Sequence, residues 1–279
     1  MGGAASAPED PGAAVPSADG AATEVASQTG RTDRVPPADA KAVAAGAADR
    51  RSFDAGDAYV TGATPYTERD EAWLRSAPLS KALDPNLRVV RVASRCPRTG
   101  TPRVLECYPL RVARDVARSE TKGYSTHKWN PKAGDDPVPW PNTFWLCCPI
   151  AMAEIGALEH EGLIKKHNAR FRYPELQPDP SAAREDARRF AAQHARYAAH
   201  RWGLLSPADR AFAEREGYDA VLRGCGVGGL RVPEQVKCLH LHYAHYLATG
   251  DNIVGEWCRD ALNEAREREA HPARDETFF

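Results

Sequence analysis

The chain has 279 residues, 42% of them hydrophobic, and its 37 Lys and Arg nearly cancel its 38 Asp and Glu to leave a net charge of −1. That balance argues against a nucleic-acid binder, whose Lys and Arg cluster into a strongly basic surface. No run approaches the roughly 18 apolar residues of a membrane-spanning helix.

Residues 1–52 are mostly Ala, Pro, Gly, Ser and Thr; the first aromatic residue is Phe53 and the first leucine is Leu74. Such a composition cannot bury enough apolar area to offset the entropy of ordering, so a disordered tail is expected. It lacks the apolar stretch of a secretory signal, and Glu9, Asp10, Asp19, Glu24 and Asp33 argue against an organelle transit peptide. Met1 to Ser6 fits the N-myristoylation pattern with Gly2 as acceptor. A single acyl chain without a polybasic patch gives only weak membrane association.

Residues 53–279 read as one α+β domain. Thr67 and Asp70 mark a helix start. Val-rich residues 87–94 and residues 101–108 read as strands, joined by a hairpin link over Cys96–Gly100. Residues 122–142 lack periodicity and read as a long loop. A third strand over 143–147 precedes a helix that opens at Pro149, carries Met152, Ile155 and Leu158 on one face, and stops near Gly162. The second half is helical. One helix runs from the Asp179-Pro180 cap to Gly203, with Phe190, His194, Tyr197 and Arg201 on one face. Others run from Ser206 to Gly217, from Glu234 to Ala248, and from Val254 to about Arg268. The expected fold is a small antiparallel sheet packed with several helices.

Seven cysteines, with no export signal and no C-x-x-C pair, point to reduced thiols in a cytoplasmic protein. The richest segment is Val236 to His245. On a continuous helix Cys238, His242 and His245 stack on one stripe beside the apolar Val236, Leu239, Tyr243 and Leu247, with His240 on the apolar side. Thiolate and imidazole donors suit zinc, and a thiol beside an imidazole also suits nucleophilic catalysis. Packed core residues are the plain alternative. Further ligands would come from Cys96 at the hairpin and Cys148 at the strand-to-helix junction. The loop Gly224–Gly229 offers a weaker anion site through Gly226, Gly228, Gly229 and Arg231, although a structural turn is the better reading of that spacing.

Arg95-Cys96-Pro97, Thr143 to Pro149, Leu158-Glu159, Gly226 to Gly229, Val236 to His240, Ala244-His245 and Gly250 to Asn252 together resemble the bacterial domain-of-unknown-function family 501, over roughly residues 87–256. The family has no assigned reaction. Its pattern, carried onto this chain, implies Cys96, Cys148 (a histidine in some members), Cys238, His240 and His245 as a ligand set, and favours His240 over His242. A regular helix would place His240 opposite Cys238, a conflict that a helix starting only at Cys238 removes. The tail and residues 111–136 depart from the family, the latter as an insertion.

Three functions compete. The first is a zinc-dependent hydrolase with an open metal position, for which Glu159 or His160 is the candidate base. The second is a non-enzymatic protein with a closed structural zinc or thiol core that acts through partner binding. The third is a metal-free cysteine enzyme. None of the three names a substrate.

Overall fold

A computed structural model describes residues 59–76, 88–111 and 137–270. The expected tail, the Gly2 acceptor and most of the expected insertion lie outside these residues. Everything described falls within one compact unit.

The fold is α+β. Strands β1 (Val89–Arg95) and β2 (Pro102–Cys107) form the expected antiparallel hairpin, and β5 (Phe144–Leu146) pairs antiparallel on the other edge of β2. The hairpin closes through Cys96 N–H to Thr101 O and Gly100 N–H to Cys96 O, both 2.8 Å, with Gly100 at φ 70°. Two short strands, β3 (Leu110–Arg111) and β4 (Val138–Pro139), form a separate ribbon. The loop expected over 122–142 therefore carries a strand at its end.

Both faces of the main sheet are covered, as the alternation along β2 dictates. Val104 packs with Ala93, Phe144 and Leu146 into the principal core. Leu105, the next residue, packs with Val92, Cys107 and Cys147 against Trp140 and Leu74. Leu74 belongs to α1 (Glu68–Ser76), whose Thr67 hydroxyl and Asp70 amide and carboxylate cap one another as the sequence implies.

Seven more helices follow: α2 (Pro149–His160), α3 (Leu163–Arg172), α4 (Pro180–Gly203), α5 (Pro207–Arg215), α6 (Asp219–Leu222), α7 (Leu239–Thr249) and α8 (Ile253–Ala270). Helix α3 has no counterpart in the sequence reading; its inner face is carried by only two buried residues, His167 and Phe171. The caps of α4 and α5 form as expected. Asp179 accepts from Ser181 and Ala182 N–H at 3.0 Å, and Ser206 Oγ accepts from Asp209 N–H at 3.1 Å. Helix α7 is the hub, packed on β5, α2 and α8.

One boundary differs from expectation and matters for the site. The helix expected from Glu234 begins only at Leu239. Asn168 of α3 holds the Val236 backbone at both ends: its Oδ1 accepts from Val236 N–H at 2.7 Å, and its Nδ2 donates to Val236 O at 3.0 Å. That pairing replaces the helical hydrogen bonds, and Cys238 is extended at φ −156°, ψ 123°.

A candidate metal centre at the start of helix α7

Cys238 is the N-cap of α7, and its side chain caps nothing. Because the helix starts after it, Cys238 leaves the stripe of His242 and His245 and turns toward His240. The Cys238 Sγ to His240 Nδ1 distance is 3.7 Å. Glu159, in the last turn of α2, completes the group: its Oε1 lies 3.2 Å from His240 Nδ1 and accepts from Leu239 N–H at 2.6 Å. Among the described residues, Glu159, Cys238 and His240 bring one S, one N and one O atom within 4.8 Å of one another. On the far side of the ring, His240 Nε2 donates to Met152 O at 3.0 Å, which orients the ring and directs Nδ1 into the group.

The electrostatics follow from this placement. Burial pulls the His240 pKa down, but hydrogen bonds and charge from Cys238 and Glu159 outweigh it and raise the pKa to about 10. Burial alone would raise Glu159; the His240 hydrogen bond and charge, then the Leu239 N–H, bring it below the ordinary carboxylate value. Cys258 of α8 is fully buried, and burial, reinforced by Glu159 and Cys238, pushes its thiol up to about 12. It is a packed neutral thiol.

The other sequence candidates sit elsewhere. His242 and His245 are buried in a neutral imidazole core, where Asn252 Nδ2 faces both Nδ1 atoms at 3.2 and 2.9 Å. An amide nitrogen only donates, so both rings accept through Nδ1. His245 Nε2 meets Tyr59 Oη at 2.6 Å. Burial depresses His242 well below its usual value and takes His245 to about 3. Cys96 and Cys148 line a separate cavity with Glu154. His160 is exposed at the end of α2. In the glycine loop, the N–H groups of Gly226, Val227 and Gly229 bond to Leu230 O, His194 Nδ1 and Gly226 O, which leaves no cradle at those three positions. Arg231 is exposed beside it. The buried Arg201 donates to the carbonyls of Val221, Leu222 and Cys225 around that loop, so the loop is pinned as a turn.

The sequence reading placed Glu159 as a base; its position as a third donor beside His240 is set by the packing of α2 on α7. Its one sequence signal is the Leu158-Glu159 match to the family pattern.

A family model described as "Protein of unknown function (DUF501)" matches residues 92–260, more than half of the chain. The chain belongs to the DUF501 family. The match spans β1 to α8 and contains Cys96, Cys148, Glu159, Cys238 and His240. No curated protein and no solved structure matches the chain.

Proposed function

We propose that Glu159, Cys238 and His240 hold a divalent cation of the zinc type and that the protein is a metal-dependent hydrolase of this family. The observation that carries the reading is the spacing of the donors. Tetrahedral zinc, with bonds of about 2.3 Å to sulfur and about 2.1 Å to nitrogen or oxygen, separates its ligand atoms by about 3.4–3.6 Å. The S···N and N···O distances are 3.7 and 3.2 Å. Two of the three donors also have the support that metal ligands usually have: a backbone carbonyl behind His240 and a backbone N–H on Glu159. The His240 and Glu159 side chains are 25% and 26% exposed, so water reaches the group. Three protein ligands with one open position are the catalytic pattern, whereas a closed set of four is structural. A cation bound there would supply Lewis acidity and would lower the pKa of a water. The chain's own residues orient the donors, and His240 would give up its Nδ1 proton to serve as a ligand.

The test is metal uptake by the full chain, followed by competition with a chromophoric chelator. One zinc per chain is expected, with affinity reduced at least about tenfold in Glu159→Gln and more in Cys238→Ser and His240→Ala. Hydrolysis of activated esters should fall with chelator and return with zinc. A chain that takes up no zinc, or Cys238→Ser and His240→Ala variants that bind it as tightly as the parent, would overturn the site.

A second reading rests on the same contact. His240 Nδ1 faces the Cys238 thiol while Nε2 is anchored on Met152 O, the arrangement of a thiol nucleophile with an oriented imidazole. Chelator-resistant hydrolysis that is abolished by alkylation of Cys238 would favour it over the metal.

A further inference from the structure

Cys96 and Cys148, drawn from distant parts of the chain, meet at a cavity of about 480 Å³ between the β1–β2 turn, the start of α2 and the C-terminal half of α8. Its wall carries the side chains of Arg98, Arg103 and Arg266 against one carboxylate, Glu154. Arg266 pairs with Glu154 at 2.7 Å, which accounts for that carboxylate. Arg103 donates instead to the neutral Tyr243 hydroxyl at 3.1 Å, and Arg98 stands exposed on the turn. Neither has a carboxylate partner among the described residues, so two guanidinium charges remain uncompensated.

Helix α2 adds donors to the same cavity. Its N-cap Cys148 makes no side-chain cap, its first turn holds no acidic residue, and Pro149 occupies its first position. The N–H groups of Ile150 and Ala151, both cavity residues, therefore have no acceptor within the helix. They sit at the positive end of a 12-residue helix dipole. The Cys96 thiol lines the same cavity. A hydrogen bond with Thr99, the backbone N–H groups of Arg98 and Thr99, and the Arg103 charge together overcome burial and draw its pKa below the ordinary thiol value.

We propose that this cavity is an oxyanion site that takes a phosphate group, held by Arg98 and Arg103 and by the α2 amides. Donors drawn from two separate elements, the hairpin and α2, suit the several equivalent oxygens of a tetrahedral dianion better than the two of a carboxylate. The site shares no residue with Glu159, Cys238 and His240, so it stands or falls apart from the metal centre.

Cys96 supplies the readout. The full chain is alkylated with iodoacetamide, with and without inorganic phosphate at fixed ionic strength, and Cys96 and Cys238 are followed by peptide mass mapping. Saturating phosphate is expected to slow alkylation of Cys96 about tenfold, by cover and by opposing its ionisation, and to leave Cys238 unchanged. Acetate at the same ionic strength should not protect. Arg103→Gln and Arg98→Gln should each weaken the protection without altering zinc uptake. Arg98 lies on an exposed turn, so its variant remains informative if Arg103→Gln does not fold. Equal alkylation of Cys96 with and without phosphate would overturn the proposal, as would protection by phosphate that persists in both arginine variants, or equal protection by acetate.

Discussion

His240 and His242 stand two residues apart and are displaced in opposite directions. Glu159 and Cys238 stabilise the protonated ring of His240, whereas His242 is fully buried, with neighbouring histidines that add to the penalty for charge. Local sequence is nearly the same for both; the partner across the contact makes the difference. Arg201 shows the same dependence in a cation. It is 0% exposed, and its guanidinium satisfies the carbonyls of Val221, Leu222 and Cys225 at and beyond the end of α6 and that of Pro141 between β4 and β5. Arg201→Met keeps much of the volume but strands those acceptors. It should cost more than about 3 kcal/mol in urea denaturation, since each buried unpaired group costs about 1–3 kcal/mol. A loss below about 1 kcal/mol would show that water replaces the guanidinium.

At the scale of elements, the start of α7 decides which side chains meet. Had the helix begun at Glu234, Cys238 would lie on the stripe of His242 and His245, away from Glu159. Asn168, fixed on α3, prevents this by binding the Val236 backbone. The other end of α7 is set by its crossing with α8. A Cβ on Gly255 would lie 2.3 Å from Tyr246 Cβ and 2.6 Å from His242 O, distances that only backbone movement can relieve. Gly255→Ala should therefore destabilise by about 1–3 kcal/mol despite the better helix propensity of alanine. Thermal unfolding checks this, and an unchanged or higher Tm would mean that α8 shifts freely against α7.

For the whole molecule, the buried imidazoles couple stability to acid. His167 and His194 are each lowered to about 4, and His245 to about 3, all by burial first. Their folded pKa values lie below the unfolded value of about 6.5, so the unfolded chain binds more protons as pH falls. The contribution is complete above about pH 6.5 and is lost progressively toward pH 4 and below, with about three protons taken up by these rings and about one more by His242, which burial lowers too, on unfolding near pH 5. Urea denaturation from pH 7 to pH 4 should show this slope, and His245→Gln should flatten it. A stability independent of pH over that range would contradict neutral burial. No helix among the described residues is long and apolar enough to cross a membrane.

The β1–β2 hairpin, the Pro149, Asp179 and Ser206 helix starts and the α+β class were legible in the sequence because they depend on neighbours a few residues away: strand composition, caps and turn residues. The family pattern was legible too, and it pointed to His240 over His242. Periodicity could not show that Cys238 precedes its helix, because the deciding contact is that of Asn168 with Val236, 68 residues apart. Nor could it show that Glu159 reaches His240 while Cys96 and Cys148 face another cavity. Those outcomes depend on how α2 lies across α7 and the sheet edge, and packing between distant elements, not spacing along the chain, determines which titratable side chains share a site.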